Sequence, residues 1–348
     1  MASYVPCPDV HLFVRLNLTN ILFRPLTSFE TNVSITWSVL FGFILLTSCL
    51  ILGLILLKSS LRTYSNAILA SLCLANILYS FIYILPVKIV SIRNSLTSWI
   101  NIYCQLGHSI FQFCFICCIN FHICLMALEK LLAITRPTWH LRMSTMKIVS
   151  IIIMIVVIWV LPFFFGFFPL IIGWWRVCPN YCVLTTVLSN RRQSLVAWHI
   201  FLSFLTFLLP TSISVILYSR IVCVTRNNAN KITENKNSET SGNPITKVVV
   251  AVSVIIGVYL LLQTPYNIFQ IIYVTNPALI PRSTRPFIRE WLVYAASWNC
   301  VTSPVIFAYY DQTLRQELIN IITCRCYRSK SPSSAHAPTS NAVMMRSF

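Results

Sequence analysis

The chain of 348 residues is 57% hydrophobic and only 10% charged, with 26 Lys and Arg against 8 Asp and Glu. A soluble domain carries roughly 45–50% apolar and about 25% charged residues, so this composition excludes one and points to a polytopic membrane protein. The excess of 18 positive charges lies in the polar segments between apolar windows, so it marks loops and not a nucleic-acid face.

In chain order, residues 1–33 read as a short polar arm with one cysteine, Cys7, and two glycosylation sequons at Asn17 and Asn32. The first apolar window begins too far in for a cleaved signal peptide. Seven windows long enough to cross a bilayer follow, near 34–57, 65–91, 102–135, 146–172, 195–224, 246–274 and 289–310. Pro86, Pro162, Pro169, Pro210, Pro265 and Pro304 interrupt them without ending them, because neighbours in a bundle re-satisfy the freed carbonyls. No charge is expected deep in any window, and no internal repeat is visible, which weighs against a transporter. The fold class is therefore all-α: a seven-transmembrane helix bundle over 34–310.

Lys and Arg cluster at Lys58 and Arg62, at Arg136 to Lys147, at Arg220 to Lys247 and after Arg315. The positive-inside rule puts these in the cytoplasm and the N-terminus outside, where both sequons agree. The expected location is the plasma membrane, or that of a host cell if the chain is viral. The polar stretch 226–245 reads as a flexible loop. Residues 311–323 set Leu314, Leu318, Ile319 and Ile322 on one face, as in an amphipathic helix lying on the membrane. Cys324 and Cys326 follow among basic residues, a setting for palmitoylation, and 324–348 read as a disordered tail.

The third window ends in LMALEKLLAITRP, where Glu129 and Lys130 are adjacent opposite charges closing an otherwise uncharged helix. Around it, LRTYSN with LCLAN, Cys104, Trp159, Pro210 with Tyr218, QTPY at 263–266 and SPVIF at 303–307 fall in order. As an ordered set over about 35–325 they resemble a rhodopsin-like (class A) G-protein-coupled receptor. LLLQTPYNI is similar to the sixth helix of chemokine receptors, and MALEK resembles a herpesvirus-encoded receptor.

The resemblance implies a receptor for an extracellular ligand, coupled to a heterotrimeric G protein and, on activation, to arrestin. It implies that Glu129, Lys130 and Leu131 stand for the family's acid-Arg-Tyr motif, and that Tyr218 works with them. Lys130 keeps the charge but lacks the planar fork of Arg. Pro244 to Lys247 offer no acid to clamp it, so weak latching and raised basal signalling are expected. Gln263, before Pro265, replaces an aromatic switch. Ser303, Pro304 and Phe307 stand in the NPxxY motif, and Ser48, Asn76 and Asn299 remain of the polar network that holds sodium in the family. With Asn76 neutral, no sodium dependence is expected. These degraded positions also suit a non-signalling decoy, scavenger or heteromerising binding protein. By resemblance Cys104 pairs with Cys182 or Cys178, and Cys7 takes the spare loop cysteine.

The third window has no acid in its outer half to pair an amine, and the seventh has no Lys for a Schiff base. Arg15, Arg24, Lys88, Arg93, Arg176, Arg191, Arg192, Arg282, Arg285 and Arg289 are expected on the outer face against Asp9, Glu30 and Glu290. Such a mouth suits an anionic small molecule, although the resemblance would favour a chemokine-like peptide. His108, His122 and His199 lack metal-ligand spacing and read as core residues. No nucleophile–base pair or phosphate loop is present, so neither enzyme nor cofactor is expected.

Overall fold

The computed structural model describes residues 28–90, 98–135, 155–173, 175–176, 185–186, 192–234, 244–281 and 283–323. Seven helices follow the order of the seven windows. Helix α1 is Ser28–Leu57, α2 is Tyr64–Val90 and α4 is Ile155–Ile171. Helix α3 runs through Ser98–Leu106, a π-helical turn at Gly107–Phe111, and Gln112–Thr135. Helix α5 comprises Arg192–Ser203, a π-helical turn at Phe204–Leu208, and Leu209–Glu234. Helix α6 is Pro244–Thr275, α7 is Arg285–Ser297 with Asn299–Tyr310, and α8 is Gln312–Ile322. Between α4 and α5, β1 (Trp175–Arg176) pairs antiparallel with β2 (Thr185–Thr186).

Three boundaries differ from expectation. Helix α1 starts at Ser28, so Asn32 lies exposed inside a helix and not in the arm, with its sequon partner Ser34 buried. Glu30 in the first turn favours that start through the helix dipole. Helix α5 continues to Glu234, well into the expected loop, because no Gly or Pro occurs between Thr211 and Ser241 to stop it. Helix α7 breaks at Trp298, whose N–H turns back to the Ala295 and Ala296 carbonyls.

The prolines explain how the bundle bends without leaving polar groups bare. A proline cannot donate to the carbonyl four residues before it. Each of three such carbonyls takes a side-chain donor from another helix. Tyr103 Oη donates to Ile82 O at 2.7 Å below Pro86, and Asn120 Nδ2 to Thr206 O at 2.7 Å below Pro210. Asn76 Nδ2 donates to Cys300 O at 2.9 Å below Pro304. Pro265 differs, since it and Leu261 face outward. In hydrocarbon an unmet carbonyl is costly, so these donors fix where α2, α5 and α7 bend. Asn120→Leu is expected to destabilise the detergent-purified protein by about 1–3 kcal/mol. Adding Pro210→Ala, which returns a backbone donor to Thr206, is expected to recover part of that loss. Unchanged thermal unfolding of Asn120→Leu would remove the argument.

The core joins α1, α2, α3, α6 and α7 through Trp37, Leu40, Ile44, Leu72, Tyr79, Phe115 and Phe307. Gly107 brings α3 against Val87 and Gly166 brings α4 against Cys114, where any Cβ would collide. Leu46, Leu57, Leu261 and Ile268 point outward. Such apolar outer faces belong in lipid, and the chain is a multi-pass membrane protein.

Helix α8 matches the expected amphipathic segment. Asp311 caps it by accepting the Leu314 N–H at 2.9 Å, and Glu317 pairs with Lys58 of the α1 end at 3.4 Å. Leu314 and Leu318 face the bundle, whereas Ile319 and Ile321 are exposed. The arm with Cys7 and Asn17, the basic turn 136–147, Cys178, Cys182, Cys324, Cys326 and the tail lie outside the described residues.

Candidate functional site

Polar side chains concentrate at the two ends of the bundle and in a layer between them. At one end, Glu129 is 4% exposed and Lys130 39% exposed. Lys130 Nζ lies 3.3 Å from Glu129 Oε2 and donates to Ser65 Oγ at 3.0 Å. Ser65 Oγ donates in turn to Glu129 Oε2 at 3.2 Å. The three groups form a triangle between α2 and α3. A two-fifths-exposed ion pair contributes little alone; the hydroxyl supplies the geometry. Ser65 was not singled out from sequence, because nothing in KSSLRTYSN distinguishes it from the other serines there.

Tyr218 is buried beside Ala127 and Ile221, with Leu131, Leu217 and Ile256 around them, and its hydroxyl has no hydrogen-bond partner among the described residues. It does not touch the triangle in this arrangement.

In the middle layer, Gln263 Nε2 donates to Ala296 O at 3.2 Å, beside the break in α7. Ser303 Oγ donates to Asn299 Oδ1 at 2.7 Å. The expected four-residue network across helices is therefore smaller than predicted. Asn76 reaches the α7 backbone, Ser303 and Asn299 bond within α7, and Ser48 is buried but joins neither. Only an amide N–H can make the Asn76 contact; an ionised Asp has no proton to give the Cys300 carbonyl. His122 is a core histidine tying α2 to α3 through Ser71 Oγ at 2.8 Å, and Trp159 Nε1 donates to the same hydroxyl at 3.2 Å. No group of side chains suited to a metal ion occurs among the described residues.

The opposite end overturns one expectation. Lys88 does not face outward; it is 4% exposed and held by Glu290, at 2.7 Å from Oε2 and 2.9 Å from Oε1. Trp37 Nε1 also donates to Glu290 Oε1 at 2.7 Å, and the ammonium lies 5.2 Å from the Trp37 ring centroid. A buried charge thus does lie within a span, as does Glu129 at the other end, because each has an opposite charge to neutralise it. The expected outer charge excess keeps its sign, since Lys88 and Glu290 cancel each other. Nearby, Tyr83 Oη donates to Gln112 Oε1 at 3.1 Å, and Gln112 Nε2 to Tyr266 Oη at 3.0 Å. Gln270 Nε2 donates to Tyr266 Oη at 2.8 Å. Cys104 is buried and disulfide-bonded, its expected partners Cys178 and Cys182 being outside the described residues.

Seven helices, a charged motif at the end of α3 and a proline-bent α7 are the features on which the family comparison turns. Residues 47–307 match the 7 transmembrane receptor (rhodopsin family) pattern. The chain belongs to the rhodopsin family of seven-transmembrane receptors. This makes the protein a receptor and not an enzyme. Relatives of this receptor include rat trace amine-associated receptor 4, 24% identical over 299 residues that span 80% of the present chain and 81% of that protein. Rat trace amine-associated receptor 7e is 25% identical, with 82% and 80% covered. Human trace amine-associated receptor 9 is 24% identical, with 86% and 88% covered. The narrower likeness to chemokine and herpesvirus-encoded receptors finds no support in these relatives.

Proposed function

We propose that this receptor couples to a heterotrimeric G protein through the end that carries Glu129, Lys130 and Tyr218, with the N-terminus outside the cell. The observation that carries the reading is the Glu129–Lys130–Ser65 triangle. It stores a cation at the mouth of the bundle, held by hydrogen bonds weak enough to exchange for a partner's acceptors. With no acid in Pro244 to Lys247, α6 does not add to the latch, so signalling without ligand is the expected behaviour. The test is ligand-free G-protein dissociation in transfected cells at matched surface expression, compared with empty cells. Equal levels in the two would favour a decoy or scavenger, a reading that Gln263 and the unpartnered Tyr218 hydroxyl also support.

The relatives are named for trace amines, yet this bundle is unsuited to an ammonium ligand. Helix α3 has no acid before Glu129, and Glu290, inside the opposite end, is already held by Lys88 and Trp37. Its surroundings remain net positive, so the ligand reading is an anionic small molecule entering at the Lys88 end. Glycosylation at Asn17, a Cys104–Cys182 bridge and palmitoylation at Cys324 and Cys326 complete the proposal.

A further inference from the structure

Arg289 is half-buried, and among the described residues it makes no ion pair. It stands one helical turn before Val293 and two before Ala296 and Ser297, all buried, so it shares the core-facing side of α7. Its neighbour Glu290 points instead toward α1 and α2, where Trp37 and Lys88 hold it. The Arg289 charge acts on Tyr83 and Lys88 of α2, His108 of α3, His199 of α5 and Tyr266 of α6. Only a cation near the axis of the bundle reaches groups on four other helices. Beyond Glu290, the acids expected at this end are Asp9 of the arm and Glu30.

Tyr266 supplies a second donor. Its oxygen accepts Gln112 Nε2 and Gln270 Nε2, and its own proton has no acceptor among the described residues. The phenol is buried, and a buried donor without an acceptor is costly. A guanidinium and a phenol that both lack acceptors, within electrostatic reach of each other, call for an anion between them.

We infer that Arg289 and Tyr266 form a two-point site for the oxyanion head, carboxylate or phosphate, of a small ligand. This rests on the reading that the Lys88 end is the ligand entrance. The Arg fork matches a planar carboxylate with two parallel hydrogen bonds, and the Tyr266 proton reaches one oxygen from the α6 side. Ligand binding would then tie α6 to α7 directly, above the Gln263–Ala296 contact.

The test is thermal unfolding of the detergent-purified full chain with matched probes: phenylacetate against 2-phenylethylamine, and octanoate and octyl phosphate against octylamine. The acids are expected to raise the unfolding temperature in a saturable way and the amines not to. Arg289→Gln should weaken acid binding roughly 10–100-fold, and Tyr266→Phe by about tenfold. Arg289→Lys separates the sources, keeping octyl phosphate and losing the carboxylates if the head is a phosphate, and weakening both if it is a carboxylate. Both Arg289 variants should fold, since Arg289 has no ion pair to lose. Acids that shift wild type and Arg289→Gln alike, amines that stabilise as well as acids, or no acid effect on the wild type would each overturn the assignment. Binding is read without a G protein, so a receptor that binds acids but stays silent fails only the coupling proposal.

Discussion

Lys88→Ala will destabilise the receptor by about 3 kcal/mol, the lower end of the range for breaking a buried pair, because Glu290 keeps 20% of its side chain exposed. The loss comes less from the missing attraction than from what remains: a carboxylate inside the bundle with Trp37 Nε1 as its one printed neutral donor. The ammonium also leaves the faces of Trp37 and Tyr83, at 5.2 and 5.8 Å from their centroids. Lys88→Met combined with Glu290→Gln is expected to recover most of the stability, since the amide still accepts from Trp37 and no charge is stranded. The measurement is thermal unfolding of the four proteins in a double-mutant cycle. Strictly additive losses would show that the two residues are not coupled and that the outer ends of α1, α2 and α7 are held otherwise.

Lys130→Ala is expected to bring ligand-free G-protein dissociation down to the level of empty cells, whereas Ser65→Ala should raise it. The opposite signs are the content of the prediction. Lys130 is the group offered to the G protein; Ser65 is a positioning residue that holds it back. Losing the Ser65 hydroxyl removes the 3.0 Å bond from Lys130 and the 3.2 Å bond to Glu129 together. At roughly 1.5 kcal/mol for one bond to a charged group, the free-lysine population rises about tenfold. Ser65→Thr keeps the hydroxyl and should restore the wild-type level. A fall in both alanine variants, at matched surface expression, would assign Ser65 a merely structural part.

Much of the architecture was legible because the bilayer admits few solutions. Apolar windows of sufficient length must be helices, prolines within them must find substitute donors, and basic residues must cluster between them. The amphipathic spacing of Leu314 and Leu318 predicted α8, and Asp311 ahead of it is an ordinary cap. The end of α5 was misread because polar composition resembles a loop, although no residue there breaks a helix. Ser65, Trp37, Asn120 and Gln112 went unnoticed because a lone Ser, Trp, Asn or Gln in an apolar run carries no pattern of its own.

By itself the sequence determined seven helices, their order, the Glu129–Lys130 motif and the departures at Asn76, Gln263 and Ser303. All of these follow from local composition and spacing. Only the tertiary structure decided where the charges go. Lys88 and Glu290 are 202 residues apart, and Asn76 and Cys300 are 224 apart. No periodicity within one helix announces a partner on another. Desolvation makes each such pairing obligatory, and the packing of the bundle selects the partner. For that reason Lys88 belongs to the interior, and Arg289, one residue from the acid that Lys88 occupies, is the cation left for a ligand.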